Sequence, residues 1–83
     1  MSNRGEKLIN ILIADDDADD RLLIQEAWEE VQIVKKLHFV EDGEDLLDFL
    51  YRRGLYATVR DLPRPDLILL DLLILSKHPR LLY

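Results

Sequence analysis

The stretch LINILIADDDADD, residues 8–20, changes character at a single point, and that change decides the fold. Residues 8–14 are nearly all apolar and rich in Ile, with no clean alternation of polar and apolar positions. A short run of this kind reads as a strand buried on both faces, as in a parallel sheet. Acids at 15, 16, 17, 19 and 20 end it. From Arg21 onward Leu23, Ile24, Ala27, Trp28 and Val31 recur at helical spacing, with Gln25, Glu26, Glu29 and Glu30 between them. Asp17 is the expected N-cap, and Asp19 and Asp20 fall in the first turn, where the helix dipole favours negative charge.

The same alternation continues outward. Lys35 and Lys36 are expected at or just past the end of this helix, the favourable end for cations. Residues 37–40 (LHFV) are short and bulky, a second strand, and 41–43 (EDG) form a turn. Residues 44–53 repeat the helical pattern, with Leu46, Leu47, Phe49 and Leu50 on one side and Asp45 and Asp48 on the other. Gly54 is the expected stop. Residues 55–65 form a polar connection whose Pro63 and Pro65 cannot continue a helix. Residues 66–71 (DLILLD) are the third strand. A β-α-β-α-β order implies the α/β class: a parallel sheet with right-handed crossovers and helices on its faces.

Composition narrows the function. A chain of 83 residues holds at most one domain, and at this length only about 60–65% of the unfolded surface is buried. No cysteine is present, which excludes disulfides and thiolate metal sites. Hydrophobic residues at 48% and charged residues at 34% place the chain among folded proteins. With 17 acidic against 11 basic residues the net charge is −6, which argues against nucleic acid as a partner. The N-terminal residues show no apolar signal segment, and the longest apolar run, 67–75, is short and interrupted by Asp71, so no membrane span is expected and the cytoplasm is the expected location.

In open parallel sheets the functional crevice lies beyond the carboxyl ends of the strands. Asp15 and Asp16 end strand 1 and Asp71 ends strand 3. If those strands are neighbours, three carboxylates converge and repel one another. A hard divalent cation with oxygen ligands relieves that repulsion, and Mg²⁺ typically takes one or two carboxylates plus waters and phosphate. Beside such a cation one Asp can serve as a nucleophile toward phosphorus.

The stretches ILIADDDADDRLLIQEAWEE (11–30), FVEDGEDLLDFL (39–50) and RPDLILLDL (64–72) together resemble the receiver domains of two-component response regulators. The long proline-bearing connection before strand 3 is most similar to the subgroup that works with cyanobacterial phytochrome kinases. The resemblance implies a flavodoxin-like half-domain with sheet order 2-1-3, and a phosphoacceptor module rather than an enzyme, at most self-phosphorylating from a phosphodonor. It implies that Asp71 takes a phosphoryl group from a sensor histidine kinase. It also implies that Asp16 binds Mg²⁺ directly, Asp15 mainly through water, and Leu73 through its backbone carbonyl. It covers roughly residues 8–72 and stops there: 73–83 (LILSKHPRLLY) lacks the short polar loop leading to Asp-Gly that family members carry. The expected division is therefore a receiver part over 1–72 and an atypical tail over 73–83, with truncation or a changed reading frame as the expected origin. An exposed third-strand edge then implies a homodimer or higher oligomer. The alternative function is a fragment that folds and self-associates without completing phosphorelay.

Other readings compete for the same residues. Asp15, Asp17, Asp19 and Glu26 match positions 1, 3, 5 and 12 of a calcium-binding loop, but Asp20 stands where glycine is needed and residues 8–14 are strand-like. Asp15 and Asp16 can also be read as loop acids capping the first helix, and Asp71 as a solvent-facing strand end. Trp28 is expected to pack and His38 to be structural, while Arg52 and Arg53 are expected as a solvated helix end.

Overall fold

A computed structural model describes residues 7–71 together with Ile74 and Lys77. Strand β1 (Ile9–Ala14) lies between β2 (Lys35–Val40) and β3 (Leu67–Leu70), parallel to both, in the order β2-β1-β3. Ile11, Leu12, Ile13 and Ala14 are all buried, as a central strand covered on both faces requires. Leu12 and Ala14 share one face of β1. That face joins Val40, Leu46, Phe49, Leu62 and Ile74 in one core, with Leu50, Tyr56 and Leu70 packed against it. The parallel sheet in the order 2-1-3 that the resemblance implied is the one observed.

Helix α2 (Gly43–Tyr51) follows its sequence pattern closely. Asp42 caps it, its Oδ1 accepting the Asp45 N–H at 2.7 Å, and Leu46, Leu47 and Phe49 are buried. The Phe49 ring lies 5.6 Å from His38 and 5.1 Å, edge-on, from Tyr56. Tyr56 belongs to a short 3₁₀ helix (Gly54–Tyr56) and donates its hydroxyl to Asp45 Oδ1 at 2.9 Å. Burial first, and the hydrogen bond to Asp45 second, push that hydroxyl up to about 12. Residues 55–65 are thus more than a polar connection, since Leu62 enters the core.

Two sequence expectations about helix ends fail. The second helix ends at Tyr51 and not at Arg53, with Arg52 itself in the left-handed conformation (φ 56°), so the stop comes before Gly54. Arg53 is not simply solvated: its Nε donates to Asp48 Oδ1 at 2.7 Å and its guanidinium lies 5.3 Å from the Tyr51 ring centre. Lys35 and Lys36 lie in β2, paired with Ile9 and Asn10. Lys35 still finds a carbonyl near the preceding helix, donating its Nζ to Val31 O at 2.9 Å. Strand pairing therefore outweighs the dipole preference that placed these lysines at a helix end.

Helix α1 (Ala18–Glu29) has its expected N-cap, Asp17, whose side chain accepts from the N–H groups of Asp19 and Asp20. Its inward face differs from the expected one. Arg21, Ile24 and Trp28 are half-buried, while Leu22 and Leu23 are exposed and no residue of the helix is fully buried. The spacing i, i+3, i+7 makes Arg21, Ile24 and Trp28 one stripe, with Leu23 turned off it. His38 is structural, as expected, its Nε2 standing 3.3 Å from Asn10 Oδ1. Burial, with Lys36 nearby, pulls its pKa below the usual histidine range. Asn10 is tied in turn to the start of β3: Asp66 N–H donates to Asn10 O at 2.7 Å and Asn10 N–H to Asp66 Oδ2 at 2.9 Å.

The two faces give a direct test. Leu12→Ala, at a fully buried position, is expected to destabilise the chain by about 3 kcal/mol. Leu23→Ala, at a side chain 62% exposed, is expected to change stability by less than about 0.5 kcal/mol. Urea unfolding followed by circular dichroism distinguishes them.

Candidate functional site

The register of β1 against β3 brings the acids together. Ala14 pairs with Leu70, so the next residue on each strand, Asp15 and Asp71, leaves the sheet side by side. Asp71 N–H donates to Ala14 O at 3.1 Å, and Asp15 N–H donates to Val40 O at 3.1 Å. Both backbones are therefore held at the carboxyl ends of their strands, where open parallel sheets place their ligands. One carboxylate oxygen each from Asp15, Asp16 and Asp71 lies within 4.8 Å of the others. Asp15 is 7% exposed, Asp71 half-buried and Asp16 exposed, so the cluster runs from the core outward to solvent.

The turn after β1 is built from side chain to main chain. Asp15 Oδ1 accepts the Asp17 N–H at 3.0 Å, and Asp17 Oδ1 accepts the Asp19 N–H at 2.8 Å. Arg21 reaches back from α1, donating Nη1 to Asp15 O at 2.7 Å, and its Nη2 stands 3.9 Å from Glu41 Oε1. Asp20 lies in the field of the cluster. Its pKa is raised mainly by Asp17, then by slight burial and by Asp15, Asp71 and Asp19.

The donor set fits a hard cation. Octahedral Mg²⁺ with oxygen ligands at about 2.1 Å needs neighbouring oxygens about 3.0 Å apart and opposed ones about 4.2 Å apart. Three carboxylate oxygens within 4.8 Å need only small side-chain rotations to meet that demand. The exposed side of Asp16 leaves room for water or an anionic ligand. No His or Cys belongs to the cluster, so it favours Mg²⁺ or Ca²⁺ over zinc.

The structure brings together Asp15, Asp16 and Asp71, as their positions in sequence implied, and Leu73 lies outside the described residues. The calcium-loop reading does not fit. A strand and not a helix precedes the acids, Asp17 is occupied as an N-cap, and Glu26 is exposed within α1. Arg21 was missed. Its signal was present in its helical spacing to Ile24 and Trp28, which puts a cationic side chain on the inward stripe.

No protein-family model matches the chain. Over 80 residues it is 37% identical to response regulator Rcp1 of Synechocystis sp., covering 96% of this chain and 52% of that protein. Among solved structures it is similar to the crystal structure of response regulator RPA3017 in red light signaling of R. palustris. That match has a TM-score of 0.72 and 38% identity, covering 80% of this chain and 46% of the other. The chain is thus similar in sequence to two response regulators and shares the fold of the second. It spans about half the length of the relatives it matches.

The carboxylate cluster predicts a measurable cation response. At ten times its dissociation constant, Mg²⁺ is expected to add about 1.4 kcal/mol of stability to the wild-type chain. Asp16→Asn is expected to lose that response and, with one repelling charge removed, to be no less stable than the wild type in chelator. Thermal melts with Mg²⁺ and with EDTA read both outcomes.

Proposed function

We propose that this chain is the phosphoacceptor part of a two-component receiver, in which Asp71 takes a phosphoryl group from the phosphohistidine of a sensor histidine kinase. The observation that carries this reading is the meeting of Asp15, Asp16 and Asp71 at the ends of two adjacent parallel strands. Asp15, Asp16 and Asp71 would hold Mg²⁺, with the Leu73 carbonyl as a further ligand. When bound, the ion supplies positive charge that offsets the carboxylates and the oxygens of the incoming phosphoryl group.

Asp71 acts as the nucleophile. One of its carboxylate oxygens forms the new O–P bond as the N–P bond of the donor breaks. The electron pair of the broken bond stays on the donor imidazole nitrogen, which takes a proton from solvent, so that the donor leaves as a neutral imidazole. The half-buried position of Asp71 limits water around the carboxylate, and its backbone N–H, fixed to Ala14 O, sets where the side chain starts. Asp15 and Asp16 orient the cation side of the site. The chain is thus an acceptor that turns over once per donor and not an enzyme with a released product. Its partner is proposed to be a kinase of the phytochrome type, consistent with the red-light setting named for the R. palustris relative. Cytoplasmic location and a receiver part over 1–72 followed by a distinct tail belong to the same proposal. Among the described residues no helix is long and apolar enough to cross a membrane.

Incubation with acetyl phosphate and Mg²⁺ is expected to add one phosphoryl group to the wild-type chain, read by intact mass. Asp71→Asn is expected to gain none, and omission of Mg²⁺ to abolish the gain. Labelling that persists in Asp71→Asn would overturn the reading.

A second reading is a module that keeps the fold and self-associates without completing phosphorelay. The observation favouring it is the position of β3 at the edge of the described sheet, with Leu67 and Ile68 41% and 39% exposed. Apolar edge strands invite pairing with another chain. Light scattering at micromolar concentration is then expected to give a dimer or larger species, with Ile68→Lys shifting it toward monomer. A wild-type monomer refutes self-association.

A further inference from the structure

We infer that Arg21 is a positioning residue of the acidic site: its guanidinium fixes the turn that aims Asp15 and Asp16 at Asp71. The inference rests on the cation-binding reading above and adds to it a residue outside the carboxylate set.

The geometry begins with the half-buried stripe of α1. Arg21 occupies an inward position one turn before Ile24, where an apolar residue would ordinarily pack, and its side chain is only 21% exposed. Its aliphatic stem can line the apolar face while the charged head reaches past it. The head does not pair with a site carboxylate. Nη1 donates to the main-chain carbonyl of Asp15 at 2.7 Å, a short contact for a charged donor. Nη2 faces Glu41, in the turn after β2, at 3.9 Å.

This choice of acceptor matters. A guanidinium bound to the Asp15 or Asp71 carboxylate would neutralise it and compete with a cation. A guanidinium bound to the Asp15 carbonyl leaves that carboxylate's charge unpaired by the arginine while removing the freedom of its peptide. Asp15 is then held at three points: its N–H by Val40 O, its Oδ1 by the Asp17 N–H, and its carbonyl by Arg21. The peptide that carries this carbonyl also carries the N–H of Asp16. Rotation of that peptide would swing Asp16, the exposed member of the cluster, away from Asp71. Arg21 is itself anchored, because its N–H donates to Asp17 O at 3.0 Å in the first turn of α1. The helix, the turn and the end of β1 thus form one closed loop of hydrogen bonds around the two acids. Glu41 is exposed and more distant, so its part is to steer the guanidinium and not to hold the turn.

The test compares Arg21→Ala, Arg21→Lys and Glu41→Gln in the full 83-residue chain. Mg²⁺ affinity is measured by calorimetric titration, and stability in EDTA by urea unfolding. Removing an outer partner of a metal ligand typically weakens the metal by ten- to a hundredfold, and Arg21→Ala is expected to weaken Mg²⁺ by about tenfold or more. Arg21→Lys, which keeps a charged donor able to reach a carbonyl, is expected to recover most of that loss. Glu41→Gln is expected to change affinity less than about twofold. Independently of any metal, amide exchange at Asp17 in EDTA is expected to speed up in Arg21→Ala and to be near wild type in Arg21→Lys. Arg21→Ala that is less stable but binds Mg²⁺ as tightly as wild type would show a merely structural role and overturn the inference. Unchanged Asp17 exchange in that variant would overturn it as well. A wild-type chain that binds no Mg²⁺ defeats the cation reading itself, whereas wild-type binding with no difference among the variants defeats only the role of Arg21.

Discussion

The hydrogen bond from the Asp71 N–H to the Ala14 carbonyl is the constraint on which the site depends. It is the last rung between β1 and β3, and it fixes the register that sets Ala14 against Leu70. Side chains alternate along a strand, so a slip of one residue would turn Asp71 to the opposite face. The slip would also exchange which of Leu67, Ile68, Leu69 and Leu70 meet the core. The packing of Leu70 against the cluster of Leu12, Ala14 and Val40 therefore guards the placement of the acid next to it. Core and site enforce one register between them.

Most of this was readable from residue order, because the deciding features are local and strong. The run at 8–14 has no polar face to offer water, so it had to become a central strand, and the acids at 15 and 16 had to mark its end. Residues 66–71 repeat the same logic, and α2 announces itself through Asp42 and the spacing of Leu46, Leu47, Phe49 and Leu50. What escaped the sequence was set by distant partners. Lys35 and Lys36 look like a cationic helix end, and only their pairing with Ile9 and Asn10 makes them strand. The phase of α1 was ambiguous because Leu22, Leu23 and Ile24 are consecutive. In the structure Ile24 is half-buried and the two leucines are exposed, a phase that hydropathy alone does not select.

The acidic trio and the arginine beside it show two ways of handling charge at a sheet edge. The three carboxylates lie close together, an arrangement whose mutual repulsion costs free energy. Arg21 stands near them yet spends its strongest hydrogen bond on a neutral carbonyl. The chain is similar to two response regulators and spans about half of either.

The central place of β1 also bears on the order of assembly. Its partner in β2 arrives after one crossover, but its partner in β3 comes from roughly twice as far along the chain. Closing the longer loop costs only about 0.6 kcal/mol more than closing the shorter, so distance along the chain is a small obstacle to the second pairing. Asp15 and Asp16 are in position once β1 is laid against β2, whereas Asp71 joins them only with the final strand. A cation held by all three acids would therefore need β3 to be paired with β1, and its binding would report that pairing.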